Sequence, residues 1–147
     1  MLFRSADELQ LILRIGPAAC NMVEPPAGEG IPANCRVTLD QQEIPAAELP
    51  ARVAEMLKKH RNLWADLAFR TDHGSGGRMD AAWRALFLQF PDRFMVGTDT
   101  YTPERWHYVG EHASWSRQWL SDLPRDVAER IAWKNGEQVF GSLLRSE

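Results

Sequence analysis

Pro91-Asp92-Arg93-Phe94-Met95-Val96-Gly97-Thr98-Asp99 decides how this chain is read. Phe94, Met95 and Val96 form a compact apolar run with the length of a short buried strand. Gly97 lets the backbone turn closely, and Asp99 stands where the strand opens into a loop. Thr102-Pro103-Glu104 follows, with a hydroxyl at the N-cap, proline at the first helical position and an acid in the first turn. The pattern predicts a helix from Pro103 to about Leu120. On the other side, Asp80 caps a predicted helix with the core face Trp83, Leu86, Phe87 and Phe90, closed by Pro91.

Further outward the alternation repeats. Leu63, Ala65, Leu67 and Phe69 alternate with Trp64, Asp66 and Ala68, as in a strand. A helix opening near Pro50 precedes it, with Val53, Met56 and Leu57 on its apolar face. That helix ends at Lys58-Lys59-His60-Arg61, cations that complement a helix C-terminus. Thr71 to Arg78 is a glycine-rich loop. A last helix is expected from Pro124 to about Lys134, with Asn135-Gly136 as its break. Strands and helices alternating through short connections argue for parallel βαβ units and an α/β fold.

The N-terminal part is less regular. Ser5-Ala6-Asp7-Glu8 is a capping-box pattern, and Leu9, Ile12 and Leu13 share one helical face before Gly16-Pro17. A short helix is therefore expected there, followed by a Pro- and Gly-rich loop over 18–34 and a brief strand at Arg36-Val37-Thr38-Leu39. The chain thus divides into an N-terminal segment, 1–45, and a regular portion, 46–147.

At 147 residues, 44% of them apolar and six of them tryptophan, the chain has material for one core. A complete (β/α)8 barrel takes about 250 residues, so only part of one fits in this length. A net charge of −3 with interspersed signs leaves no basic footprint for nucleic acid. No apolar run reaches the roughly 20 residues of a membrane span, and no cleavage pattern suggests a signal peptide. Cys20 and Cys35 lack paired metal-ligand spacing and read as reduced thiols, which fits a cytoplasmic protein.

Asp99 is the leading chemical candidate. A carboxylate at a strand mouth can ligate a metal or accept a proton, and it can equally cap the following turn. Arg70, at the end of the preceding strand, either clamps a substrate carboxylate or faces solvent. His73 lies in Asp72-His73-Gly74-Ser75-Gly76-Gly77, as a ligand or proton carrier on a lid or as an exposed loop histidine. His107, near the start of the helix after Asp99, is a further candidate for the pocket wall, whereas His112 reads as helix surface. Asp66 is open to structural pairing or to catalysis. The helical tryptophans Trp83, Trp106, Trp115, Trp119 and Trp133 read as core.

From about Glu48 to Phe140 the chain resembles the C-terminal part of the amidohydrolase-related family, metal-dependent TIM-barrel hydrolases and decarboxylases. The likeness rests on Lys59 to Leu67, on Pro91 to Asp99 with its Gly-Thr-Asp ending, and on Leu123-Pro124 through Ile131, Asn135 and Phe140. It implies a partial (β/α)8 barrel, a small-molecule substrate and a divalent metal, zinc above all. It also implies that Asp99 is the metal-site or proton-transfer aspartate.

The family's His-x-His pair is absent here, and the four histidines are His60, His73, His107 and His112. Catalytic zinc normally takes about three protein ligands. Two expectations follow. In the first, the chain is part of such a metal-dependent hydrolase or decarboxylase, active only with the missing half of the barrel. Alternatively, it is a non-catalytic remnant or interaction module. Either way, self-association or docking on a complementary barrel segment is expected, because an incomplete barrel leaves sheet edges uncovered.

Overall fold

Two crossover units set the architecture. The structure is a computed structural model that describes residues 11–14, 36–39, 42–67, 74–75, 78–98, 100 and 102–144. Among them, a three-stranded parallel sheet has the order β1-β4-β7, with β1 Leu11–Arg14, β4 Leu63–Asp66 and β7 Phe94–Met95. Between β1 and β4 the chain forms an antiparallel hairpin, β2 Arg36–Leu39 and β3 Gln42–Pro45, and then helix α1, Leu49–Lys59. Between β4 and β7 come a second small hairpin, β5 Gly74–Ser75 and β6 Arg78–Met79, and helix α2, Ala81–Gln89. Each crossover carries a helix, as parallel neighbours require.

The central strand is buried on both faces, as parallel strands are. Leu63, Trp64 and Ala65 are all buried. The register sets Ala65 beside Phe94 and Asp66 beside Met95, with Ala65 N–H donating to Arg93 O at 2.8 Å and Leu67 N–H to Met95 O at 2.9 Å. Strand pairing at 63–66 and 94–95 thus follows the expected parallel adjacency. At the N-terminal end of these strands Arg93 Nη1 donates to Leu63 O at 2.8 Å, and its guanidinium lies 5.9 Å from the Trp64 ring centre.

The helices take the faces their sequences predict. Asp80 caps α2, its carboxylate accepting from Ala82 N–H at 2.9 Å and Trp83 N–H at 3.1 Å. Trp83, Leu86 and Phe87 point inward, and Phe87 meets Phe94 edge-on at 4.8 Å and Trp119 at 5.7 Å. Trp119 arrives on helix α3, Tyr108–Leu120, which starts later than expected because Pro103–Arg105 forms a 3-10 turn first. Val53 and Leu57 of α1 complete this core with Ile131.

Three expectations are corrected. Leu11–Arg14, expected in a short helix, is a strand paired in parallel with β4. Three apolar residues fit either geometry, and pairing with the edge of the neighbouring strand decides for β. Asn135-Gly136 does not break the last helix: α4 Arg125–Glu129, a π-turn Arg130–Lys134 and α5 Asn135–Leu144 run on without a gap. Asn135 turns its amide into the protein, donating to Pro91 O and Phe94 O at 2.8 Å each, so its polar groups are spent on tertiary contacts and not on a turn. Finally, Trp106 and Trp133 are exposed by 67% and 54%, so they do not belong to the core.

Candidate functional site

The C-terminal ends of the parallel strands converge on Asp66 and the Gly97 backbone. Asp66 is the last residue of β4 and is half-buried. Gly97 follows β7 by two residues. A Cβ on Gly97 would stand 2.9 Å from Asp66 Cγ and 3.0 Å from its Oδ2, so the carboxylate lies directly across the Gly97 backbone. Only a residue without a side chain permits that approach. On the other flank of β4, the pairing register sets Arg14 opposite Asp66. Two of the three strands therefore end in charged residues at the same end of the sheet.

The loop after β7 starts from this point. Thr98 and Thr100 are half-buried, and Thr100 Oγ1 donates to Thr98 O at 3.4 Å. Asp99 lies between them but outside the described residues, as do Arg70 and His73. His107 is exposed just before α3, with its ring 3.9 Å from that of Tyr108. Glu104, in the 3-10 turn, is held below the ordinary carboxylate range, first by its own backbone N–H and then by the Thr102 hydroxyl.

Among the expected candidates, then, the structure brings Asp66 against the strand that leads to Asp99, and it leaves His107 on the surface. Arg14 was not among those candidates. Its signal, a charged residue closing the short apolar run Leu11-Ile12-Leu13, is visible once that run is read as a strand.

A catalytic zinc takes about three protein ligands and leaves one position open. Among the described residues no three His, Cys, Asp or Glu side chains converge to hold a metal ion. The described residues by themselves do not fit a zinc site. Also among them, no helix is long and apolar enough to cross a membrane. No family model, curated protein or solved structure matches this chain.

Proposed function

We propose that this chain is the C-terminal part of a cytoplasmic, amidohydrolase-like hydrolase or decarboxylase acting on a small molecule. In this reading its parallel sheet is a sector of a (β/α)8 barrel. The observation that supports it is the Asp66 carboxylate lying across Gly97 where parallel β4 and β7 end. In barrels of this kind the reacting groups stand at the C-terminal ends of the strands. Asp99, two residues past Gly97, is the acid that takes a proton or joins the metal site. Arg70 serves as a clamp for a substrate carboxylate, and His73 and His107 line the approach. Asp66 packs against the turn that carries Asp99. The histidine ligands for zinc come with a complementary barrel segment on which this chain docks.

The test is reconstitution. The chain is mixed with a separately produced segment carrying the His-x-His strand, then assayed for bound zinc and for hydrolysis of ester, lactone and amide probes. Stoichiometric zinc and turnover in the complex, with neither in the chain alone, are the expected results. A complex that forms but holds no zinc and turns over nothing would leave the remnant or interaction-module reading in its place.

A further inference from the structure

The backbone groups on the outer edge of β7 have unusual partners. Successive residues of a strand direct their N–H and C=O groups to opposite edges of the sheet. Arg93 and Met95 serve β4, accepting from Ala65 and Leu67. Phe94 and Val96 therefore face away from β4, where a further strand would pair.

The last helix takes both positions. Asn135 Nδ2 donates to Phe94 O and to Pro91 O, and Val96 N–H donates to Ile131 O at 3.1 Å. The π-turn makes this possible. Asn135 N–H reaches back five residues to Arg130 O, so the wider turn presents the Ile131 carbonyl to the strand. Asn135 is only 2% exposed, and Phe94 and Ile131 are fully buried, so the Asn135–Phe94 bond is shut off from water, while the bond to Pro91 is partly buried.

We propose that Asn135 and the π-turn form an edge latch, which keeps β7 from pairing with a strand of a second copy of this chain. Its chemistry is that of a surrogate strand: one side-chain amide and one carbonyl offered at the places where a strand would offer an N–H and a C=O. Unlike a strand, the helix presents no further unpaired edge, so addition stops there. The inference rests on these hydrogen bonds and not on any hydrolase activity; a complementary barrel segment that pairs with β7 has to displace the latch first.

The experiment is amide hydrogen exchange combined with sedimentation on the full chain. Asn135→Asp keeps the shape but removes both amide donors and sets a carboxylate against two carbonyls. Val96 N–H should then exchange about tenfold faster or more, while Leu67 N–H, a rung between β4 and β7, changes much less. The variant should also self-associate with rising concentration, and association should restore protection at Val96. Equal acceleration at Val96 and Leu67 would mean that Asn135 merely supports the whole fold. Fast exchange at Val96 without added association would remove the guarding role. Unchanged exchange would remove the latch itself.

If Asn135→Asp does not fold, the unsubstituted protein in mild denaturant gives the same decision. Val96 should open together with the amides of α5, before Ala65 and Leu67; opening of all of them in one step overturns the proposal.

Discussion

At the scale of single residues, the close approach of Asp66 to Gly97 makes the sharpest demand on the sequence. Gly97→Ala must push the Asp66 carboxylate aside, and overpacking of this kind costs about 1–3 kcal/mol. Urea unfolding should record that loss, and Asp66→Ala combined with Gly97→Ala should recover most of it. Purely additive effects in that double-mutant cycle would mean the two residues do not press on each other. Charge at the surface gives a second prediction. The Glu129 carboxylate is held below its ordinary range, first by the hydrogen bond from Lys134 at 2.6 Å and then by that from Arg125 at 2.8 Å. A depressed carboxylate stabilises the fold above its unfolded pKa, and that contribution fades as pH falls through the folded value. Lys134→Ala should therefore move the Glu129 titration, followed by NMR, upward toward the ordinary value. An unmoved titration would deny the pairing. The solvent-facing partners keep the effect on stability small.

At the scale of elements, the π-turn explains what the sequence alone does not. Glu129 and Lys134 are five apart, a spacing that an ordinary α-helix does not bring face to face, and here it makes an ion pair. Asn135-Gly136 reads locally as a break because both residues favour turns. The break is overruled by Asn135's two tertiary hydrogen bonds, formed with residues more than forty positions earlier in the chain. Gly136 then sits in a helix with nothing within 4 Å of where a Cβ would be. Gly136→Ala should consequently stabilise the protein, by about 0.5–1 kcal/mol as in an open helical site. Thermal unfolding checks this, and a lower melting temperature would mean the helix does not run through residue 136. Where local signals stand alone, as with the Asp80 cap and the Trp83–Phe87 face, they are legible in the sequence outright. At Leu11–Arg14 they are not, because three apolar residues carry no period long enough to separate strand from helix.

At the scale of the whole molecule, the aromatic cluster of Trp83, Phe87, Phe94 and Trp119 joins the second crossover unit, through α2 and β7, to α3. Phe87 is at its centre and fully buried. Phe87→Ala should cost about 3–5 kcal/mol, enough to bring the domain close to unfolding at ambient temperature. A loss below about 1 kcal/mol in denaturant unfolding would show that the cluster is not the joint between that unit and α3. The parallel pairing of β4 with β7 and the helix crossover between them are legible from the alternation of strand and helix patterns. The site is legible only in part: Asp66 shows itself as a polar residue inside an apolar strand, while its place at the strand end and its contact with Gly97 depend on the register of β4 and β7.

On the proposed reading, these strand ends carry a catalytic acid in a hydrolase completed by another segment. Asp99→Asn in the reconstituted complex tests it most directly, with turnover and circular dichroism measured on the same sample. The account predicts that turnover vanishes while folding and complex formation persist; full turnover with asparagine at that position would contradict it.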